Sequence, residues 1–310
     1  MKQPSTVGRL QLDVTSPVVA AILVNYNAGD ELRRALQSIA DEMSEQPWEA
    51  VVVDNHSTDG SADIALEFQP RVSLIRNGEN VGFARGVNQG LAATGAPFVL
   101  IMNPDCRLMA GAIAALRADL VLQPKCAIVG PKILNPDGSL QGSARGDPDM
   151  LTGLFGRKQL FGRLFPWLPV SRRNVVSDHA VRSGQPSVAV DWLSGACLLA
   201  RRAPLRQVAG FDERYFLYWE DADLCRRLRA AGHGVRYVPG ATAIHRVGQS
   251  SQTAQAAAIR AFHDSAYLYY TTHVATHRFH PRRALAGAIL AARRWWLLRR
   301  ATGVKPSRLP

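Results

Sequence analysis

The chain has 310 residues, of which 47% are hydrophobic and 20% are charged, so it can form a large core and is not a disordered protein. Its net charge is +12, and only five of its 37 basic residues are lysine. Arginine suits diphosphate groups and anionic lipids because its planar guanidinium binds through two hydrogen bonds, although a general compositional bias explains the excess equally well. The four cysteines are isolated in sequence, which excludes a disulfide framework and fits a reducing compartment.

We expect residues 1–16 to form a polar N-terminal extension, since they resemble neither a signal peptide nor a membrane span. No apolar run reaches the roughly 18 residues expected of a transmembrane helix. From residue 17 to about 130, apolar strands alternate with helical segments, which predicts an α/β fold with a mostly parallel sheet. The predicted strands are Pro17–Asn25, Trp48–Val53, Val72–Arg76, Pro97–Met102 and Ala127–Val129, and the predicted helices are Asp30–Met43, Ser61–Phe68, Phe83–Ala93 and Ala110–Leu122.

Polar residues follow four of the predicted strands, at the point where each strand ends. They are Asn25-Tyr26-Asn27, Asp54-Asn55-His56-Ser57, Arg76-Asn77 and Asn103-Pro104-Asp105. Ligands bind at the carboxyl ends of parallel strands, so a polar pocket is expected there, although any one of these residues also suits a turn. Neither G-x-G-x-x-G after the first strand nor a P-loop motif is present, which excludes a standard dinucleotide fold and a P-loop NTPase.

The second half of the chain departs from this alternation. Residues 135–138 (NPDG) predict a hairpin turn. Residues 146–185 are irregular and suit a mobile surface loop, a lid or a segment that faces the acceptor, and Val188–Leu199 is predicted to form one or two strands. A short helix follows an aromatic run, with acids at its start and arginines near its end, as the helix dipole favours. A strand, Val235–Val238, then leads to His245, which we expect to return to the same site.

Seven segments taken together resemble a known family. They are ILVNYN (22–27), VVVDNHSTDG (51–60), NVGFARGVNQG (80–90), LIMNPD (100–105), VDWLSGACLLARR (190–202), FDERYFLYWEDADLCRRL (211–228) and the segment around His245. This set resembles the inverting family 2 glycosyltransferases of the GT-A fold, and among them the bacterial rhamnosyltransferases. The resemblance implies a transferase domain over residues 17–250, with a donor-nucleotide half (17–130) and an acceptor half (131–250), followed by a helical basic tail (251–310).

The resemblance also implies a donor site, in which Asp54 contacts the nucleotide base and the end of the first strand lies beside the nucleoside. Gly82 would allow close backbone approach at a helix N-terminus that favours an anionic ligand, and Asn80 also suits a helix N-cap. The complete expected donor-binding set is Asn25, Tyr26, Asn27, Asp54, Asn55, Asn80, Gly82, Phe83, Ala84, Asn88, Asn103 and Asp105.

The family's metal-binding D-x-D motif falls at Asn103-Pro104-Asp105, where asparagine replaces the first acid. Asp105 and His245 are the expected protein ligands of a divalent cation, Mn²⁺ or Mg²⁺, and the donor diphosphate would supply further oxygens. Mixed oxygen and imidazole ligation leans toward Mn²⁺.

The family's W-[DE]-D-x-D element assigns Asp221 as the catalytic general base, which must reach the acceptor hydroxyl. Glu220 would orient the acceptor, Ser194 and Gly195 would lie beside it, and Trp192 and Trp219 would either stack on sugar rings or pack in the core. The expected reaction is a single in-line displacement with inversion at the sugar carbon.

The basic tail has nine Lys or Arg residues and no acid between Arg278 and Pro310. Trp295 and Trp296 lie between arginine pairs, so the tail suits peripheral attachment to a membrane surface; the alternative is a solvated helix that packs on the domain. The arginines spread around a helical wheel, so no clean amphipathic face is expected.

The expected function is transfer of a sugar, with rhamnose from dTDP-rhamnose as the best assignment, to a hydroxyl of a lipid-linked or polysaccharide acceptor in bacterial cell-envelope synthesis. The enzyme is expected at the cytoplasmic face of the inner membrane. Alternatives are a UDP-sugar donor (hexosyl or galactofuranosyl), a catalytically dead sugar-binding module, and a basic nucleic-acid-binding protein. Against the last, the sequence has no nucleic-acid-binding signature and its charge is concentrated in the tail; it leaves the oligomeric state open.

Overall fold

A computed structural model describes residues 17–147, 181, 184–246 and 255–301. The predicted polar extension and most of the irregular segment at 146–185 lie outside the described residues. The described strands are β1 (Val19–Asn25), β2 (Trp48–Asp54), β3 (Val72–Arg76), β4 (Phe98–Met102), β5 (Cys106–Leu108), β6 (Cys126–Leu134), β7 (Ala144–Arg145), β8 (Val188–Ala189), β9 (Trp192–Leu193), β10 (Cys197–Arg201) and β11 (Gly234–His245). The described helices are α1 (Glu31–Glu42), a 3-10 helix (Ser61–Phe68), α2 (Phe83–Ala93), α3 (Ala112–Leu122), α4 (Arg202–Gln207), α5 (Glu220–Ala230), α6 (Gln255–His273) and α7 (Pro281–Ala301).

The central sheet has the order β3-β2-β1-β4-β10-β6-β11-β5 in the described part of the chain, with β8 added on β11. Strands β3, β2, β1 and β4 run parallel, and β10 is antiparallel to both of its neighbours. The predicted α/β class with a mostly parallel sheet is therefore confirmed. The carboxyl ends of β1, β2 and β4 lie at one edge, as parallel pairing requires.

Both faces of the sheet are covered by helices, which explains why the strands are continuous apolar runs. Along β1, Ala21 and Leu23 point into a core formed with α1 and α3. The alternate residues Ile22 and Val24 point into a second core formed with α2, α5, α6 and α7. Because successive side chains of a strand point to opposite faces of the sheet, β1 contributes to both cores.

Strand β11 carries His245 to the edge where the parallel strands end. It is longer than the predicted Val235–Val238, with an irregularity between Val238 and Thr242. It pairs with β6 in parallel and with β5 antiparallel, and this register places His245 opposite Cys106. His245 therefore lies beside Asp105, although 140 residues separate them in the chain.

The predicted turn at residues 135–138 forms a hairpin. The Asn135 N–H donates to the Ser139 carbonyl oxygen at 2.8 Å, and Leu134 bridges Leu140 in antiparallel fashion. This hairpin leads the chain back to Gln141, which lies beside His245.

Helices α6 and α7 pack against each other and against the second core. Gly287 allows close packing between them, because a Cβ there would lie 3.4 Å from the Tyr267 ring. Of the helices that the structure describes, none is sufficiently long and apolar to span a bilayer.

Candidate active site

A cavity of about 470 Å³ opens at the carboxyl ends of β1, β2 and β4. Residues from both predicted halves line it, and α6 adds three alanines from beyond residue 250, where the transferase domain was predicted to end. Its wall consists of Val24, Tyr26, Asn55, Asn80, Gly82, Phe83, Asn103, Pro104, Asp105, Ser194, Gly195, Ala196, Phe216, Leu217, Tyr218, Glu220, Asp221, His245, Ala257, Ala258 and Ala261.

Asn25 and Asp54 lie behind this wall and stabilise the loops that follow β1 and β2. The Asn25 amide donates to Asp54 Oδ1 at 2.7 Å and also contacts the hydroxyls of Ser57 and Ser61. Asp54 Oδ2 accepts the Ser57 N–H at 3.1 Å. Asn27, with φ of 50°, accepts the Thr58 N–H through its side chain. These three predicted donor-binding residues are therefore engaged with the protein itself, and the base contact of Asp54 stays a prediction.

A network of side-chain amides forms the donor side of the cavity. Asn80 Oδ1 accepts the Gly82 N–H at 3.0 Å and the Asn55 amide at 3.2 Å. Because Gly82 is itself the N-cap residue of α2, the predicted N-cap role of Asn80 was wrong. The Asn55 amide also donates to the Gly82 carbonyl oxygen at 3.1 Å. Asn77, the residue after β3, donates to Asn55 Oδ1 at 2.9 Å. Tyr26, Asn55, Asn80 and Phe83 all reach the cavity as expected.

The start of α2 lies very close to the backbone of Phe216. Gly82 has φ of 86°, and a Cβ there would lie 2.5 Å from the Phe216 carbonyl oxygen. That oxygen accepts the Phe83 N–H at 2.7 Å, while Asn80 occupies the Gly82 N–H. The prediction that this helix N-terminus receives an anion is therefore not supported at these two N–H groups, which already have partners.

Ala84 and Asn88 do not reach the cavity either. Ala84 is fully buried in the second core. The Asn88 amide clamps the loop before α5, since it donates to the Phe211 carbonyl oxygen at 2.8 Å and accepts the Phe211 N–H at 2.9 Å. The predicted role of Asn88 in donor binding is thus indirect in this structure, because the loop that it holds leads to the cavity residues Phe216–Tyr218.

Asp105 and His245 meet at the predicted metal position. His245 Nε2 lies 3.2 Å from Asp105 Oδ1 and 3.4 Å from the Asn103 amide nitrogen, and both Asp105 and His245 line the cavity. The ring Nδ1 lies 3.1 Å from Gln141 Oε1. Gln141 uses its amide nitrogen to donate to the Asn135 side chain and to the His245 carbonyl oxygen, so its oxygen faces the ring.

This geometry fits a divalent cation. Because Gln141 Oε1 only accepts hydrogen bonds, it faces a protonated Nδ1, so Nε2 is the ring atom that would bind a cation beside the Asp105 carboxylate. A cation bound by both groups would take one nitrogen and one oxygen ligand from the protein. No cluster of three or more His, Cys, Asp or Glu side chains suited to a metal occurs in the described ranges, so a cation here would depend on substrate oxygens for its other ligands.

Asp221 lies in the first turn of α5, on the cavity wall. Its Oδ2 accepts the Gly195 N–H at 2.8 Å, and its Oδ1 accepts the Ala222 N–H at 2.8 Å. A Cβ on Gly195 would lie 3.3 Å from Asp221 Cβ, which explains the glycine at this position. The structure therefore places Asp221 beside Ser194 and Gly195, as the sequence predicts, with a carboxylate held in one orientation.

The turn before α5 holds Asp221 in place through an unusual backbone. Tyr218 and Trp219 have φ of 69° and 70°, a left-handed conformation that is costly for residues other than glycine. The Ser265 hydroxyl of α6 donates to the Leu217 carbonyl oxygen at 2.9 Å and stabilises this turn. Glu220, the first residue of α5, is nearly buried and lines the cavity.

Trp192 and Trp219 belong to the core instead of the cavity wall. Their rings stack with centroids 6.2 Å apart and an interplanar angle of 16°, and both are buried in the second core. Trp219 also contacts Phe262 and Tyr269 of α6. Stacking on sugar rings is therefore not supported, and the alternative of core packing describes both tryptophans.

Asp223 anchors α5 to α6, an interaction that the sequence did not indicate. Its fully buried carboxylate pairs with Arg227 Nε at 2.6 Å and with His273 Nε2 at 2.6 Å. The Arg226 guanidinium also donates to the His273 carbonyl oxygen at 3.0 Å. Asp223 is thus a structural acid two residues from the predicted base.

The cysteines are buried and free in this structure. Burial raises the pKa of Cys225, which lies on α5 behind Asp221, to about 12, and burial raises that of Cys126 to about 11. At neutral pH these thiols are protonated, so they are unsuited to nucleophilic catalysis.

Comparison with known proteins identifies the family. A family model described as glycosyl transferase family 2 matches residues 20–161. Over 266 residues the chain is 35% identical to an N-acetylglucosaminyl-diphospho-decaprenol L-rhamnosyltransferase of Mycobacterium tuberculosis, with 81% of this chain and 83% of that protein covered. The chain belongs to glycosyl transferase family 2.

Two further matches agree with this membership. The glycosyltransferase is 50% identical over 56 residues to rhamnosyltransferase WbbL of Escherichia coli, which covers 18% of this chain and 21% of that protein. Its fold matches a mannosyltransferase of Pyrobaculum calidifontis solved with GDP-Man and Mn²⁺, with a TM-score of 0.57 and 18% identity over 93% of this chain and 74% of that chain. The predicted GT-A fold and glycosyltransferase activity are confirmed, and the nucleic-acid-binding alternative has no comparable support.

Proposed function

We propose that this glycosyltransferase transfers rhamnose from dTDP-rhamnose to a hydroxyl group of a lipid-linked glycan acceptor during synthesis of the bacterial cell envelope. The observation that carries the proposal is one cavity lined by Asp221 and also by the Asp105–His245 pair. The name of the mycobacterial relative supports rhamnose as the sugar and a polyprenyl diphosphate glycan as the acceptor.

In the proposed reaction, the Asp221 carboxylate removes the proton of the acceptor hydroxyl as that oxygen attacks the anomeric carbon of the sugar. The bond from this carbon to the diphosphate breaks on the opposite face, so the configuration inverts. The proton resides on Asp221 and the electron pair leaves with the nucleoside diphosphate. The N–H groups of Gly195 and Ala222 fix both carboxylate oxygens, which keeps the base in one geometry and avoids reorganisation during the reaction.

Asp105 Oδ1 and His245 Nε2 would hold Mn²⁺ or Mg²⁺ at the other part of the cavity, with donor phosphate oxygens as the remaining ligands. When bound, the cation neutralises negative charge on the leaving diphosphate. The mixed oxygen and nitrogen ligands favour Mn²⁺ over Mg²⁺, since Mg²⁺ prefers oxygen ligands alone.

Glu220 lines the cavity next to the base and is the side chain we assign to acceptor orientation. Asn80 and Asn55 hold the start of α2 at the donor side. We place the enzyme at the cytoplasmic face of the inner membrane as a peripheral protein, because a polyprenyl-linked acceptor would be anchored in that membrane.

A donor screen tests this proposal. The purified full chain is incubated with dTDP-rhamnose, UDP-glucose or UDP-galactofuranose, each with Mn²⁺, Mg²⁺ or chelator, and with a short-chain polyprenyl diphosphate N-acetylglucosamine acceptor. We expect a rhamnosylated product that depends on the metal. Transfer from a UDP-sugar alone would contradict the assignment of donor, and transfer that persists in chelator would contradict the role of Asp105 and His245.

A further inference from the structure

Helix α7 presents large apolar side chains to solvent along one face. Leu285 and Ile289 are 52% and 36% exposed, and Trp295 and Trp296 are 55% and 46% exposed. Ala288 and Ala292 are exposed between them, while Ala286 and Leu290 on the opposite face are buried. We call the six exposed residues the outer stripe of α7. Their spacing of three or four residues places them on one side of the helix.

The arginines of α7 are divided between two faces. Arg293 lies beside His263 and Arg294 pairs with Asp264 at 2.7 Å, so both contact α6. Arg282, Arg299 and Arg300 are exposed at the two ends of the outer stripe. The arginines thus spread around the helix, as the sequence indicates, and contacts with α6 account for two of them.

Aromatic rings and guanidinium groups are paired at the C-terminal end of the stripe. The Arg299 guanidinium lies 3.9 Å from the centroid of the Trp295 ring, and that of Arg300 lies 3.8 Å from the Trp296 ring. Just before the helix, Phe279 is 75% exposed beneath the Arg278 guanidinium. Residues 278–310 contain no acid, so the surface is complementary to negative charge.

We propose that α7 lies in the plane of an anionic phospholipid surface. The outer stripe then contacts the boundary between headgroups and acyl chains, and the exposed arginines of α7 lie among the phosphate groups. Tryptophan favours the headgroup level, and arginine reaches phosphates while its aliphatic part stays apolar. An amphipathic helix with tryptophan and leucine on one face and arginine at its edges binds in this way without spanning the bilayer.

This orientation matters for the enzyme because α7 packs on α6, and α6 contributes Ala257, Ala258 and Ala261 to the cavity wall. A helix pair seated on the membrane would bring the acceptor side of the cavity near a lipid-linked substrate. That consequence rests on the proposed function, whereas binding of the stripe to lipid does not.

The test measures binding of the full chain to vesicles, without donor or acceptor. Vesicles of phosphatidylcholine alone are compared with vesicles that also contain phosphatidylglycerol, by co-sedimentation and by tryptophan fluorescence. We expect binding to the anionic vesicles and a blue shift of the emission. Trp295→Ser with Trp296→Ser should weaken binding about tenfold or more, and each of Arg299→Gln and Arg300→Gln should weaken it about fivefold.

Leu122→Ser is the matched control, since Leu122 is an exposed apolar residue on α3, 75% exposed and outside the stripe; its vesicle binding should equal that of the unchanged chain. Three results would overturn the proposal: vesicle binding that the tryptophan variant retains, a dimer in solution that only this variant loses, or binding to duplex DNA in place of vesicles. Transfer to the short-chain acceptor is assayed in parallel. If transfer persists while vesicle binding is absent, the membrane proposal fails and the proposed transfer reaction stands.

Discussion

Gln141 and His245 share two hydrogen bonds: the imidazole Nδ1 lies 3.1 Å from Gln141 Oε1, and the Gln141 amide donates to the His245 carbonyl oxygen at 2.7 Å. A third bond, from the same amide to Asn135 at 2.8 Å, prevents the side chain from turning around. Gln141 therefore selects the tautomer of His245 that leaves Nε2 available beside Asp105. A residue that hydrogen-bonds to a metal ligand, without contacting the metal itself, commonly affects metal affinity.

Gln141→Ala should lower the affinity for Mn²⁺ about tenfold to a hundredfold, because the ring of His245 loses the group that orients it. Affinity is measured by electron paramagnetic resonance of Mn²⁺ in the presence of dTDP, so no turnover is required. Gln37→Ala is the control, since Gln37 makes one exposed bond to Asp41 on α1. Unchanged Mn²⁺ affinity in Gln141→Ala would refute the positioning role.

Gly82→Ala should destabilise the fold by about 1–3 kcal/mol, because alanine is strained at a φ of 86° and its Cβ would clash with the Phe216 carbonyl oxygen. Urea unfolding measures the loss. Donor binding should weaken as well, since Phe216 lines the cavity. Gly78→Ala is the matched control, because a Cβ there meets nothing within 4 Å; equal stability of the two variants would show that the close approach is not required.

His263 should make the packing of α6 on α7 sensitive to acid. Burial lowers the pKa of His263, and the charges of Arg293 and Arg294 lower it further. An unfolded histidine titrates near a pH of about 6.5, so below that pH the unfolded chain binds the proton more readily than the folded chain. The free energy of unfolding should therefore fall as the pH drops through this range.

The measurement is urea unfolding at a pH of about 7.5 and of about 5.5, on either side of the ordinary histidine pKa. His263→Gln should reduce the difference in stability between the two conditions, whereas His277→Gln, at an exposed site after α6, should not. An equally steep loss of stability in His263→Gln would assign the acid sensitivity to other groups.

Local patterns were sufficient for much of the fold. The apolar run at Pro17–Asn25 predicted β1 because both faces of that strand are buried, and the segment Phe83–Ala93 matches α2 at both ends. The 3-10 geometry at Ser61–Phe68 was predicted only as a helix, since both forms place apolar side chains at similar spacing.

Site residues with distinctive side-chain chemistry could be predicted from the sequence. Residues that reach the site only through the pairing of distant strands could not. Asp105, Asp221 and His245 were predicted because their segments resemble the motifs of a known family. The role of Gln141 could not be predicted from the sequence, because a glutamine after a turn is common. Only the pairing of β11 with β6 brings His245 beside it. The core placement of Trp219 likewise depends on α6, which supplies Phe262 and Tyr269 from another part of the chain, and Trp192 stacks on Trp219.

The most direct test of the account is the rate of sugar transfer by Asp221→Asn, together with its affinity for dTDP-rhamnose by calorimetry. The amide retains the shape of the carboxylate but cannot accept the acceptor proton, so transfer should fall by about a hundredfold to ten-thousandfold while donor affinity stays near that of the unchanged chain. Asp41→Asn, on the exposed surface of α1, should alter neither quantity. A transfer rate in Asp221→Asn close to that of the unchanged enzyme would contradict the assignment of Asp221 as the base.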